Sequence, residues 1–182
     1  MFITGTRSKL NADVNDDFQL LTDATARHRS EFLNGKDGKV WNLDINAIDP
    51  VGAADKFFYL KNTGSVDIKV HSIRLSSTVA GFVSVKKVTG TASFTAGVDV
   101  TPQSFKTNAT PVVGATIKTD TDTTGLTDEG VWDRMSLDTA AREILHDYPS
   151  TIMIAPGGAL ALEWSAATGI LTGTIAITEN DN

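Results

Sequence analysis

Two side chains that could exchange protons, Glu143 and His146, stand three residues apart in the sequence. On the helix that we predict for this segment they would lie one turn apart, where a carboxylate and an imidazole can perform acid–base chemistry. The same spacing is typical of a solvated surface pair, which is the interpretation that we favour. The other histidines, His28 and His71, are distant in the sequence, and no metal-binding pattern such as HExxH is present.

Four residues, Asp120, Asp122, Gly125 and Asp128, are spaced as at the start of a calcium-binding loop. The EF-hand pattern fails at its twelfth position, which holds Val131 instead of the bidentate glutamate that completes the ligand set. We therefore favour an acidic, solvated loop, and a weak cation site remains the alternative.

Three tryptophans are the largest candidate contact residues. Trp41 and Trp164 alternate with apolar neighbours, which predicts that they pack in the core. Trp132 follows Gly130 in a polar segment that we predict to be a loop. It is therefore the aromatic side chain best placed to contact a partner or to stack on a sugar ring.

Several kinds of active site are absent from the sequence. With no cysteine, the chain forms no disulfide, no zinc–thiolate site and no Cys nucleophile. The G-x-S-x-G motif does not occur, and Gly157-Gly158 lies in a turn between strands, not before a helix where a phosphate could bind. We expect no catalytic residue, no cofactor and no metal, and we predict that the chain is not an enzyme.

The charge balance narrows the range of partners. A formal net charge of -6 argues against nucleic acid, whose phosphates need a basic patch, and against an anionic membrane surface. The first ten residues, MFITGTRSKL, lack the apolar core of a signal peptide. No apolar run approaches the ~18 residues of a membrane span. We expect a mature cytosolic protein, or one that is assembled without secretion.

Alternation of apolar and polar residues predicts antiparallel strands along most of the chain. The clearest segments are 40–45, 57–60, 66–70, 159–164 and 174–178. Residues 56–77 are predicted to form a hairpin with its turn at 62–65. The apolar residues change parity between Val70 and Ile73, so an extra residue near His71-Ser72, in a β-bulge or a strand break, is needed to bury both sets on one face.

Three segments depart from this pattern. A helix near 138–147, ended by Pro149, is predicted from helical spacing of the apolar residues Leu137, Ala141, Ile144, Leu145 and Tyr148. Residues 97–130 are rich in Thr, Asp and Gly, and we predict a long functional or interfacial loop in which 115–119 could be a strand. Residues 1–17 are predicted to be a flexible arm, and residues 18–182 a single domain. The predicted fold is all-β, an antiparallel β-sandwich of jelly-roll type with one short helix and an extended N-terminal arm.

A loose pattern across residues 35–178 carries a family resemblance. Its parts are GKVW at 38–41, FYLKNT at 58–63 leading into 66–68, the Thr-rich segment 101–108, IAPGGALALE at 154–163 and GTI at 173–175. In these stretches the chain resembles phage virion structural proteins of jelly-roll or β-sandwich type, and the nearest type is the capsid decoration, or cement, protein.

The resemblance implies a protein that is made in the host cytoplasm and lies on the capsid surface of the virion. There it would bind the major capsid protein and stabilise the head by bridging its subunits. It also implies a homo-oligomer, with a trimer expected. The segments expected to make contacts contain the predicted partner-binding residues Phe2, Ile3, Arg7 and Trp132. The alternative function is a carbohydrate- or receptor-binding β-sandwich module of a phage fibre.

Overall fold

The computed structural model describes residues 38–108, 113–139 and 142–180, and it places strands and no helix in them. The part of the chain so described therefore holds no helix long and apolar enough to cross a membrane. The strands are β1 (Val40–Ile48), β2 (Asp55–Asn62), β3 (Asp67–Ser77), β4 (Gly81–Phe94), β5 (Val98–Asp99), β6 (Gln103–Ser104), β7 (Ala115–Thr119), β8 (Thr123–Leu137), β9 (Ile144–Ile154), β10 (Ala159–Trp164) and β11 (Leu171–Asn180). The prediction of an all-β fold is confirmed.

The strands form two antiparallel sheets. One sheet has five strands in the order β6-β1-β11-β3-β9, and the other has six in the order β5-β7-β2-β10-β4-β8. A cluster of buried apolar side chains from both sheets forms the core. The architecture is thus a β-sandwich-like arrangement of two sheets packed over a shared core.

Period-two alternation decides which side chains enter this core. Along β1 the side chains of Trp41, Leu43 and Ile45 are buried, whereas Asp44 between them is exposed. Trp164 at the end of β10 is fully buried. Both tryptophans predicted to pack in the core do so.

The predicted hairpin at 56–77 is wrong, although both of its strands exist. β2 pairs with β7 and β10, whereas β3 pairs with β9 and β11, so the two strands lie in different sheets. The buried Asn62 side chain fixes the crossover between them. Its amide donates to the carbonyls of Val66 and Ile154, both at 2.8 Å, and its oxygen accepts from the Gly64 N–H at 2.9 Å. Turn residues show that the chain reverses, but not which sheet the next strand joins.

The bulge predicted near His71-Ser72 is confirmed. Between Val70 and Ser72, β3 advances by two residues while its neighbour β11 advances by one. His71 is the extra residue, and its Nε2 lies 2.8 Å from the Thr178 hydroxyl oxygen. The bulge allows the apolar residues on both sides of it to face the core.

The predicted helix near 138–147 is wrong. Residues 144–148 belong to β9, in which Leu145 is exposed and Tyr148 is buried. The backbone groups of β9 that face β3 pair with that strand, and this pairing overrides the local helical spacing. The pairing of β9 with β3 is also irregular. Ser72 pairs with Asp147 and Val70 with Ile152, so two residues along β3 correspond to five along β9.

The long loop predicted at 97–130 is also wrong. In its described part the segment contains β5, β6, β7 and the first residues of β8. The suggested strand at 115–119 is confirmed as β7. The end of the segment, residues 123–130, belongs to β8. This strand pairs with the preceding β4 in a long two-stranded ribbon.

The far half of this β4–β8 ribbon crosses the outer face of the six-stranded sheet. β4 pairs with β10 only as far as Val88, yet the Phe94 ring meets the Tyr59 ring of β2 with centroids 5.8 Å apart. Asp128 of the ribbon forms ion pairs with Lys56 of β2 and Lys86 of β4, at 3.1 and 2.6 Å. A second apolar cluster is therefore buried outside the main core.

Two facing glycines allow the ribbon to bend. Gly90 and Gly125 both have positive φ, +99° and +73°. A Cβ on Gly125 would lie 2.5 Å from the Thr91 carbonyl oxygen, and one on Gly90 would lie 2.7 Å from the Gly125 carbonyl oxygen. Only glycine fits both the backbone angle and the close approach.

We expect Gly125→Ala to lower the free energy of unfolding by about 2–4 kcal/mol, because the new methyl group adds a clash to the strain of positive φ. Denaturant titration followed by tryptophan fluorescence measures the change. The control is Gly157→Ala, which has a φ of +83° and no atom near the added Cβ, so about 1–2 kcal/mol is expected. Equal losses in the two variants would contradict the close packing of the ribbon.

Candidate functional site

The free edges of the two sheets meet on one side of the molecule. In the described residues β8 is the last strand of the six-stranded sheet, and β9 is the last strand of the five-stranded sheet. Side chains of Asp133 on β8 and of His146 and Tyr148 on β9 join the two edges. We refer to these three residues as the edge clasp.

One carboxylate oxygen holds the edge clasp together. Asp133 Oδ2 accepts a hydrogen bond from the Tyr148 hydroxyl at 2.6 Å and lies 2.9 Å from His146 Nδ1. Tyr148 is buried, and the side chains of Asp133 and His146 are about one-third exposed. The clasp is thus a partly buried polar bridge between strands of different sheets.

The environment of the clasp favours a charged aspartate and a neutral tyrosine. Burial raises the pKa of Asp133, but the hydrogen bonds from Tyr148 and His146 outweigh it and hold the pKa below its usual value. Burial also raises the pKa of the Tyr148 phenol, and the hydrogen bond and charge of Asp133 raise it further. At neutral pH the phenol therefore donates to a carboxylate.

The clasp lacks the arrangement of a nucleophilic active site. An aspartate bonded to histidine Nδ1 can orient an imidazole for catalysis, but the imidazole must then reach a nucleophile. Within the described residues, no serine or threonine hydroxyl is hydrogen-bonded to His146. Asp133 Oδ2, the oxygen that faces His146, also accepts the hydrogen bond from the Tyr148 hydroxyl. The geometry is that of a structural link.

The proposed pairing of Glu143 with His146 is not formed. Glu143 instead lies 3.6 Å from Arg74 on β3, and both side chains are about half exposed. His146 turns to Asp133, thirteen residues earlier in the sequence. The helix that would have placed Glu143 and His146 together does not exist, so this prediction is wrong.

Strands near the clasp also carry exposed apolar side chains. Val131 and Trp132 on β8 are 45% and 40% exposed, and Leu145 and Met153 on β9 are both 46% exposed. Phe82 on β4, 39% exposed, lies beneath the guanidinium of Arg134. We define the β8–β9 edge surface as Phe82, Val131, Trp132, Leu145 and Met153.

Trp132 is exposed, but it is not in a loop as predicted. It is a bulge residue of β8, because Val85 pairs with Asp133 and the next residue, Lys86, pairs with Val131. A bulge on an edge strand changes the direction of a side chain and interrupts regular pairing. Contact between Trp132 and a partner stays a prediction, and Phe2, Ile3 and Arg7 lie outside the described residues.

The acidic segment after β7 is not a solvated loop. Asp120 is buried, and its carboxylate accepts the N–H groups of Thr95 and Ala96 at 2.9 and 2.7 Å, which anchors the end of β4. Asp128 forms ion pairs with two lysines of the sheet, Lys56 and Lys86. Across the described part of the chain, no group of three or more acidic or histidine side chains is placed to hold a metal ion.

We expect Asp133→Asn to lower the free energy of unfolding at pH 7 by about 1–3 kcal/mol, because the amide makes weaker hydrogen bonds than the carboxylate. The pKa of Asp133 is lower in the folded state, so its contribution is present above the unfolded pKa of about 3.9 and is lost as pH falls through the folded pKa. Denaturant titrations between pH 7 and pH 2 should show the wild type and the variant converging at the acid end.

The matched control is Asp147→Asn on β9, between His146 and Tyr148 in the sequence, with an exposed side chain. Its effect should stay within about 0.5 kcal/mol. A difference between wild type and Asp133→Asn that does not change with pH would show that the clasp does not depend on the aspartate charge.

Comparison with known proteins identifies no relative. No family model matches the chain, and no curated protein and no solved structure is significantly similar to it. The functional argument therefore depends on the residues and geometry of this chain alone.

Proposed function

We propose that the protein is a virion structural protein, a decoration or cement protein that binds the outside of a phage head. In this role it would bridge subunits of the major capsid protein and so stabilise the shell. The observation that carries the proposal is the β8–β9 edge surface, the apolar side chains that remain exposed on and beside β8 and β9, the last described strands of the two sheets.

Exposed apolar edges support an attachment role. A free edge strand offers unpaired backbone groups to other chains, and proteins that stay monomeric usually protect such edges with charges, prolines or short strands. Bulges interrupt β8, but β8 also carries the exposed Val131 and Trp132, and β9 carries the exposed Leu145 and Met153. Aromatic and methionine side chains are enriched where proteins contact one another. The edge clasp would hold both strands in a fixed relation when a partner binds.

The strand order supports the jelly-roll form of the proposal. If the short strands β5, β6 and β7 are set aside, the remaining eight form two four-stranded sheets, β1-β11-β3-β9 and β2-β10-β4-β8. Successive long strands mostly alternate between the sheets, as they do in a jelly roll of two Greek keys. Jelly rolls occur in viral capsid proteins and in lectins, so this topology fits both candidate functions without choosing between them.

The second candidate function is a carbohydrate- or receptor-binding module of a phage fibre. One observation favours it. The ring of Trp132 is 40% exposed beside polar groups of the clasp, and an exposed aromatic ring can stack on a sugar. The surface around it is apolar on both edge strands, which suits a protein partner better than a glycan.

We expect Trp132→Ala to weaken attachment to heads about tenfold or more, because truncating a central aromatic contact typically costs more than 1 kcal/mol. Heads made from a phage genome with this gene deleted are mixed with purified protein and sedimented, and the bound fraction is measured against protein concentration. The matched control is Phe105→Ala, an exposed phenylalanine that follows β6 on the opposite side of the sandwich.

Two results would contradict the attachment role. One is wild-type protein that never sediments with heads. The other is equal loss of binding in Trp132→Ala and Phe105→Ala, which would remove the β8–β9 edge surface from the interface. Binding of the wild type to immobilised glycans, abolished by Trp132→Ala, would instead support the fibre module.

We also expect the purified protein to form a closed homo-oligomer, a trimer, because cyclic symmetry lets several weak contacts with a symmetric shell act together. Sedimentation equilibrium should give three times the mass of one chain. A monomer at all concentrations tested would contradict this part of the proposal.

A further inference from the structure

The side of the sandwich opposite the edge clasp contains a groove. There the five-stranded sheet ends in β1 and the short β6, and the six-stranded sheet ends in β7 and the short β5. The chain segment 98–104 spans the gap between the two sheets. The cavity beside it has a volume of about 410 Å³, and its lining includes Asp44, Asn46, Ile48, Val98 and Asp99. We refer to it as the β1–β5 groove.

The β1–β5 groove exposes an open strand edge. β6 pairs with β1 only at Trp41 and Asn42, and the Phe105 N–H donates to the Val40 carbonyl at 3.0 Å. Backbone groups of every second residue point to the same side of a strand, so Asp44 and Asn46 also direct theirs away from β11. In the described part of the chain no strand pairs with β1 on that side beyond Asn42.

The chain leaves the edge of β1 immediately before β6. Pro102 directly precedes β6 and has no backbone N–H to donate. The chain instead crosses to the other sheet, where Val98 and Asp99 pair with β7. A wedge-shaped space therefore remains between β1 and β5.

The walls of the groove combine acidic and apolar side chains. Asp44 is exposed and forms no ion pair with another described residue. Asp99 is paired with Lys118 at 2.7 Å but is itself 83% exposed. Val98 is 61% exposed on the opposite wall, and Ile48 packs against the core at the base. An extended peptide with cationic and apolar side chains would complement these walls.

The first ten residues of this chain have that composition. MFITGTRSKL contains the cations Arg7 and Lys9 and no acidic residue, in a chain whose net charge is -6. It also contains Phe2, Ile3 and two threonines, which suit an extended strand. The described chain starts at Gly38, whose carbonyl accepts a hydrogen bond from the Ser104 hydroxyl beside the same edge. Residues 11–37 can span up to roughly 3.3 Å each, far more than the length of β1.

We propose that residues 1–10 bind in the β1–β5 groove as an added strand on the open edge of β1, with Arg7 or Lys9 against Asp44 and apolar side chains against Val98. Residues 11–37, which connect this segment to the described chain, are long enough for the segment to come from the same molecule or from a neighbouring copy. The inference does not depend on the proposed attachment to phage heads, since it concerns contacts of this chain with itself.

Disulfide trapping in the full chain tests the proposal, because the protein has no cysteine of its own. Asn46→Cys is combined in turn with Thr4→Cys, Thr6→Cys and Ser8→Cys, which covers alternate registers. The control combines the same three positions with Asp147→Cys, an exposed site on β9 at the far edge. Mild oxidation is followed on non-reducing gels, and circular dichroism checks that each variant is folded.

We expect at least one groove pair to crosslink about tenfold faster than its control, because a bound segment raises the effective concentration of the two thiols. A faster-migrating monomer indicates binding within one molecule, and a covalent dimer or larger species indicates exchange between copies. Adding Arg7→Glu and Lys9→Glu should return the rate to that of the control. Groove rates equal to the control rates, or rates unchanged by the charge reversals, would overturn the proposal.

Discussion

The structure depends on the burial of large apolar side chains between two sheets. Trp41, Phe58 and Trp164, with the aliphatic residues around them, are almost completely removed from water. Burial of this kind supplies most of the favourable free energy of folding, and it requires every second residue of each long strand to face inward. Local details follow from that requirement. The bulge at His71 exists because Val70 and Ile73, on opposite parity in the sequence, both have to enter the core.

Each sheet of a two-sheet fold has two edge strands, and the edges on the two sides of this molecule differ in structure. On one side Asp133 binds His146 and Tyr148, so that a charged hydrogen-bonded bridge joins strands of both sheets. On the other side a connecting segment with Pro102 crosses the gap and leaves β1 partly unpaired. The first side is fixed and carries exposed apolar residues, whereas the second is an open acidic groove. Both are suited to contact other polypeptide, but by different chemistry.

The outer face of the six-stranded sheet is covered, not left to solvent. The ribbon of β4 and β8 bends at Gly90 and Gly125 and lays Phe94 against Tyr59. Asp128 is held by Lys56 and Lys86, and although burial opposes the charge of Lys86, its hydrogen bonds with carboxylates raise its pKa. The ribbon thus protects a second apolar cluster, and its strand β8 includes residues 123–130, the end of the polar segment predicted to be a loop.

By itself the sequence determined what depends on neighbouring residues. The pattern of apolar residues predicted β1, β2, β10 and β11 and the buried Trp41 and Trp164, and a change of parity located the bulge at His71. Only the tertiary structure decided what depends on pairing between distant segments. It separated β2 from β3, turned the helical spacing at 144–148 into an edge strand, and brought Asp133 to His146 and Tyr148. The physical reason is that a strand satisfies its backbone on other strands, whose identity no local pattern specifies. The site was therefore missed from the sequence, where Asp133, His146 and Tyr148 show no spacing in common.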